Sequence, residues 1–173
     1  FDSIIYTGDV RVLHTMISGV SNELVSMLQE LDSLRSNGTS NVLCYTDATD
    51  LSWLYLPSPE TKAHRIIYTG NFSEANNAPG GRRTCVVEFS GSVSEELMRT
   101  QIKALPGNLE AIAFNYEPNS YVIQGVDTRE RIEHIKSLLA PVGFYLCGRF
   151  AEWEYYNMDK AIEASMSLVQ KMS

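Results

Sequence analysis

Apolar and polar residues alternate with a period of two over several short runs of the chain, and with a period of three to four over four longer ones. A period of two places alternate side chains on opposite faces of a strand, and a period near 3.6 lines up one face of a helix. The short runs predict strands near residues 3–7, 41–46, 52–56, 64–69, 84–90, 110–116, 120–124 and 144–148. The longer ones predict helices near 21–32, 92–104, 127–140 and 157–172. Ser92 followed by Glu95 reads as a capping box for the second helix, and Asp127 followed by Glu130 as a similar device for the third. Pro141 and Gly143 end that third helix. In the last helix Met158, Ala161, Ile162, Ser165, Leu168, Val169 and Met172 recur at spacings of three and four, which predicts one buried stripe.

Few helices intervene between residues 40 and 90, so the strands there are expected to pair antiparallel. Residues 71–83 are rich in Asn, Gly and Pro and read as a loop. The expected fold class is α+β: a mostly antiparallel sheet flanked by about four helices. Trp53 is assigned to its core, whereas Glu152 and Glu154, alternating about Trp153, are expected to face water.

Composition narrows the chemistry. A length of 173 residues and 44% hydrophobic content suit one domain, or one domain plus a fragment. A formal net charge of −7 argues against nucleic-acid binding, which needs a basic face. No apolar run approaches the roughly 18 residues of a membrane span, and no signal peptide is visible. Cys44, Cys85 and Cys147 each sit in an apolar run without a CxxC pair, and His14, His64 and His134 are scattered. Reduced structural thiols in a cytosolic protein, and no metal site, are the expectation. The chain opens on Phe1 with a strand already in progress, as expected of a piece of a longer protein.

The richest chemistry lies near the end, in Gly148-Arg149-Phe150-Ala151-Glu152-Trp153-Glu154-Tyr155-Tyr156-Asn157-Met158-Asp159. An apolar strand delivers an Arg and several aromatics to the start of a helix, where unpaired backbone N–H groups can hold an anion or a carbonyl oxygen. Arg149 directly follows a buried strand and a Gly, where a charge is expensive unless it is paired. Asn157 and Asp159 also suit the N-cap and first turn of a helix without any ligand. Arg65 reads either as a binding residue or as a surface Arg on an edge strand, and Tyr55 and Tyr121 either as ligand contacts or as strand aromatics that pack. Arg82-Arg83 reads as a solvated pair, and His64 as structural. A Gly-x-Gly-x-x-Gly turn after a strand is absent, and no Ser-His-Asp or Cys-His set has supporting context.

The closing segment resembles the final FAD-binding motif of UDP-galactopyranose mutases and related amine-oxidase-like flavoproteins. The resemblance extends over most of the chain. Ile4-Ile5-Tyr6-Thr7-Gly8 is similar to the strand that leads out of the FAD domain, with Asp9 in place of the usual Pro. Trp53 to Pro57 and the run His64-Arg65-Ile66-Ile67-Tyr68-Thr69-Gly70-Asn71-Phe72-Ser73 resemble eukaryotic-type mutases, and Asn119 to Ile123 resembles a later strand offering a Tyr to the substrate. Such enzymes bind UDP-galactose between a FAD domain and a sheet domain, and reduced flavin supplies the nucleophile for ring contraction.

On the matching positions the resemblance implies Tyr55, Arg65, Tyr121, Tyr155 and Asn157 as substrate contacts, with Arg65 as a diphosphate clamp and the three tyrosines as phenolic donors. It implies Gly148, Arg149 and the N–H groups near Met158 as flavin contacts, and no catalytic side chain. Asn157 stands where family members often carry Asp. Residues 1–143 would form a substrate-binding sheet domain, and 144–173 the last strand and helix of the FAD-binding half. The parent would be a cytosolic flavoenzyme acting on a nucleotide sugar, and the chain alone is not expected to retain FAD. An amine-oxidase-like oxidoreductase and a non-catalytic binding or assembly module stay open as alternatives. Apolar surface that met the missing half is expected to drive self-association.

Overall fold

The computed structural model describes residues 1–172. These fall into two compact units, one built from residues 1–36 and 121–172 and the other from 37–120. Each has its own apolar core.

The 37–120 unit holds a five-stranded antiparallel sheet in the order β3-β4-β5-β2-β6. Its strands are β2 (Ser36–Thr46), β3 (Trp53–Tyr55), β4 (Ala63–Ile67), β5 (Arg83–Ser90) and β6 (Glu110–Val122). Two of them, β2 and β6, carry the chain across the unit boundaries. Val42, Cys44, Ile66, Cys85, Val87 and Phe89 line one face and pack with Met98 and Ile102 of α2 (Glu95–Ile102). The N-cap of α2 is Ser94, whose hydroxyl accepts the Leu97 N–H, and not Ser92. Cys44 and Cys85 are buried cross-strand neighbours and carry free thiols. Their mutual hydrogen bond, together with burial, pushes the Cys44 thiol up and keeps it protonated.

The separate strands expected near 110–116 and 120–124 are one strand, β6. Pro118 does not break it, because β6 lies at the edge of the sheet, where a missing N–H costs little. Trp53 is a second departure: it lies on edge strand β3 and is 55% exposed. An aromatic in a strand run is compatible with either face, and here the register turns it away from α2.

The other unit pairs β1 (Ile4–Tyr6) with β7 (Phe144–Leu146) in parallel. Three further helices belong to it: α1 (Asn22–Glu30), α3 (Thr128–Leu139) and α4 (Met158–Met172). Leu24 and Leu28 of α1, and Ile132, Ile135 and Leu139 of α3, share a core with Val10, Leu13, Leu146 and Trp153. Ser21 caps α1 by accepting the Leu24 N–H. Asp127 precedes α3 with near-helical dihedrals and makes no side-chain cap. The Thr128 hydroxyl instead accepts the Gly125 N–H, so the local turn takes the place of the capping box. Gly143 ends the following 3₁₀ turn at φ 73°, and a Cβ there would stand 2.6 Å from the Asp2 carbonyl oxygen.

The stripe predicted to bury α4 is not buried. No described residue of α4 is fully buried; Ala161, Ala164, Leu168 and Met172 are half-covered, and Met158, Ile162, Met166 and Val169 face outward. Periodicity identifies the helix and its apolar face, but a face is buried only where a second surface meets it. No helix among the described residues is long and apolar enough to cross a membrane, and no cluster of metal-ligating side chains occurs among them.

Glu152 also departs from expectation. It is buried, 3.0 Å from Lys136 Nζ, and accepts the Gly148 N–H at 3.0 Å. Glu154 pairs with Arg129. Burial works against the Lys136 charge, but Glu133 and Glu152 outweigh it and hold that amine above its usual range. The reason lies in Trp153, which takes φ 47° and breaks the alternation on which the outward assignment of both glutamates rests.

Candidate functional site

The residues singled out by the sequence gather in two clusters, one in each unit, and each is described within its own unit. In the sheet unit, the face opposite α2 carries two cross-strand rows. Tyr55, Arg65, Glu88 and Asn41 form one; Trp53, Ile67, Val86 and Leu43 form the next. Antiparallel register puts Tyr55 directly opposite Arg65.

Glu88 organises the polar row. Arg65 Nη2 donates to one carboxylate oxygen at 2.9 Å, and His64 Nε2 lies 2.6 Å from the other. Adjacent strand residues normally point to opposite faces. His64 and Arg65 both reach Glu88 because the register shifts between Ala63 and Arg65. Glu88 is 7% exposed, whereas the Arg65 side chain is 27% exposed and can be reached from solvent. Burial pushes the Glu88 carboxyl up; the hydrogen bonds and positive charge of His64 and Arg65 outweigh it and hold the group at about 2.

A carboxyl at about 2 in the folded chain, against 4.5 for a free Glu, contributes on the order of 3 kcal/mol. That contribution is complete above pH ~4.5 and disappears as the pH falls through about 2. Urea unfolding followed across this window should show a loss of that size. In Glu88→Gln the same segment of the pH–stability curve should be flatter by about that amount, and an unaltered slope would refute the assignment.

In the other unit, Arg149 emerges from the turn after β7. Gly148 makes that turn at φ 105°, with open space where a Cβ would stand. The guanidinium of Arg149 donates from Nε to the Tyr156 carbonyl oxygen at 2.8 Å, and Nη2 donates to the same oxygen. It also lies 5.2 Å from the ring centre of Tyr155 and 5.8 Å from that of Tyr121. The two rings stack on each other, 5.6 Å apart and 14° from parallel. Arg149 is thus held by a backbone carbonyl and two aromatic faces, which answers the expense of a charge beside a buried strand. Tyr155 is exposed and Tyr121 half-buried. Asn157 is exposed, and its carbonyl accepts the Ala161 N–H at the start of α4. Met158, the first residue of α4, is 85% exposed.

Tyr121, Tyr155 and Arg149 therefore come together in one unit, and Tyr55 and Arg65 in the other. Glu88 was missed in the sequence because it sits inside the apolar run Cys85-Val86-Val87-Glu88-Phe89. The available signal was its alternate position, which puts it on the face opposite Val87 and Phe89. A cavity of about 620 Å³ between α3, β7 and α4 is lined by Lys136, Glu152 and Tyr156, and by none of Arg149, Tyr121 and Tyr155. Its Lys136 and Glu152 are already tied to each other.

No protein-family model matches the chain, and no curated protein matches it. Solved structures do. A reduced UDP-galactopyranose mutase superposes over 90% of the chain with a TM-score of 0.74 at 19% identity. The chain shares the fold of part of that mutase. A protein of Exiguobacterium sp. 255-15, provisionally assigned as a protoporphyrinogen oxidase, covers 99% of the chain with a TM-score of 0.62 at 11% identity. The PF1083 protein of Pyrococcus furiosus covers 86% with a TM-score of 0.56 at 13% identity. The chain spans only 37%, 41% and 34% of these three proteins. Identities this low speak to fold, and function has to be argued from the site.

Proposed function

We propose that the chain is the sugar-nucleotide-binding portion of a cytosolic, flavin-dependent mutase of the UDP-galactopyranose mutase type. The observation that carries this reading is the convergence of Arg149, Tyr121 and Tyr155 from distant parts of the sequence into one stack. The two phenols are donors suited to a diphosphate, and the guanidinium beside them is a flavin contact in this reading. Tyr55 and Arg65 present the same pair of groups on the sheet. In this reading Arg65, Tyr55, Tyr121, Tyr155 and Asn157 contact the nucleotide sugar. Residues 144–173 belong with a flavin-binding half.

The residues present suit the ring end of a flavin. The Gly148 backbone has open space beside it, and the first turn of α4 at Met158 is exposed. Gly148, Arg149 and Met158 would hold the flavin there, and reduced flavin would supply the nucleophile toward the sugar. The side chains of this chain would bind and orient: Arg149 fixed by the Tyr156 carbonyl, Arg65 fixed by Glu88. The outward apolar stripe of α4 supports its packing against a further apolar surface, from the flavin-binding half or from a second copy.

The test is thermal unfolding of the full-length protein with and without UDP-galactose. A ligand that binds only the folded state at 100 times its Kd adds about 2.7 kcal/mol, so a clear rise in melting temperature is expected. Unchanged melting up to millimolar ligand would overturn the reading. The match to part of the Exiguobacterium protein, over 99% of this chain and 41% of that one, supports one second reading, a flavin-dependent oxidoreductase with a different substrate. Yellow full-length protein with no response to UDP-galactose would select it.

A further inference from the structure

We propose that Glu88 sets which nucleotide the sheet face accepts, favouring a nucleoside diphosphate ester over the free nucleoside diphosphate. The inference rests on the reading of Arg65 as a diphosphate contact and adds a specificity-determining residue to it. Glu88 does not itself touch the ligand in this scheme.

The reasoning begins with charge. Glu88 and Arg65 form a close ion pair at 2.9 Å, with His64 2.6 Å from the second carboxylate oxygen. Glu88 is almost fully buried and stays ionised throughout the neutral range. The Arg65–Glu88 pair is therefore neutral in sum. A phosphate brought to Arg65 gains directional hydrogen bonds but little net attraction, and it comes to rest beside a fixed carboxylate. The neighbouring positions in the row, Tyr55 and Asn41, add hydrogen-bonding capacity without adding charge.

The two ligand forms differ in this respect. Both phosphates of a diphosphate ester are capped, so each carries one negative charge. A free nucleoside diphosphate has a terminal phosphate whose second ionisation falls near neutrality, and it carries about one further charge. That charge would face Glu88 in a half-buried setting, where like charges repel far more than in water. The ester escapes the penalty because its sugar caps the terminal oxygen. A face balanced in this way retains a substrate ester and releases a hydrolysed nucleotide.

The experiment is calorimetric binding of UDP-galactose and of UDP to the full-length protein, read as the ratio of their Kd values. Wild type should prefer the ester by about tenfold. Glu88→Gln should bring the ratio to about one, and Glu88→Asp, which keeps the charge, should preserve the preference. Damage to the fold weakens both ligands together and leaves the ratio unmoved. Asn41→Asp provides an independent arm: it is nearly isosteric, places a second carboxylate opposite Glu88, and should widen the preference about tenfold further. If wild type binds both nucleotides and neither Glu88→Gln nor Asn41→Asp changes the ratio, the inference is overturned while the nucleotide-sugar reading stands. Absence of binding of either nucleotide to wild type overturns both.

Discussion

Replacing Trp153 with Ala should cost about 3–5 kcal/mol, the largest stability loss expected of any single truncation in the 1–36/121–172 unit. Trp153 is 0% exposed and sits among Leu13, Leu28, Ile132 and Leu146. Its indole N–H donates to the Ile123 carbonyl at 3.3 Å, Phe150 meets its ring edge-on, and the Arg11 guanidinium lies 4.8 Å from the ring centre. Truncation removes the apolar contacts and leaves a cavity that the surrounding helices can close only in part. It also leaves the Ile123 carbonyl without its indole donor. Domains of this size are stable by only about 5–15 kcal/mol, so the loss is a large share of the total. Urea unfolding should show a lower midpoint with an unaltered slope. A loss below about 1 kcal/mol would mean that the indole is not the centre of this core. Trp53→Ala is the matched control: its side chain is exposed, and the change should stay within about 0.5 kcal/mol.

The second large effect concerns binding. Arg65→Ala in the full-length protein should weaken UDP-galactose about 100-fold, and Arg65→Lys about tenfold. The two values differ for a physical reason. Ala removes the guanidinium donors that would meet the phosphate and leaves the buried Glu88 charge near the ligand with His64 as its remaining ion-pair partner. Lys keeps the charge but replaces a rigid, planar fork by a flexible ammonium, so one carboxylate and one phosphate can no longer be engaged together in fixed geometry. Circular dichroism should remain near wild type for Arg65→Lys. Equal affinities for wild type, Arg65→Ala and Arg65→Lys would remove Arg65 from the binding surface.

Much of the architecture was legible from pattern alone. The four α-helices fall where a three-to-four-residue period runs, and the antiparallel sheet falls where period-two runs follow one another without helices between them. Arg149 was legible as a charge that needs a partner, since it directly follows a buried strand and a Gly, whereas Tyr121 reads equally well as a strand aromatic that packs. The fine placement of side chains was not. Ser92, with Glu95 three residues on, is the capping box by pattern, yet the helix starts after Ser94. Glu152 looked solvent-facing until the positive φ of Trp153 turned the chain.

What the sequence alone determined is therefore local: which segments become helices and strands, and which face of each is apolar. These follow from periodicity and side-chain type, which act over a few residues. What the tertiary structure decided is which apolar faces find cover and which charges find partners. Trp153 became core while Trp53 did not, α4 kept its stripe outward, and Glu88 drew His64 and Arg65 together through a shifted register. Burial and ion pairing depend on surfaces contributed by residues far apart in the chain, and no local pattern encodes where those surfaces meet.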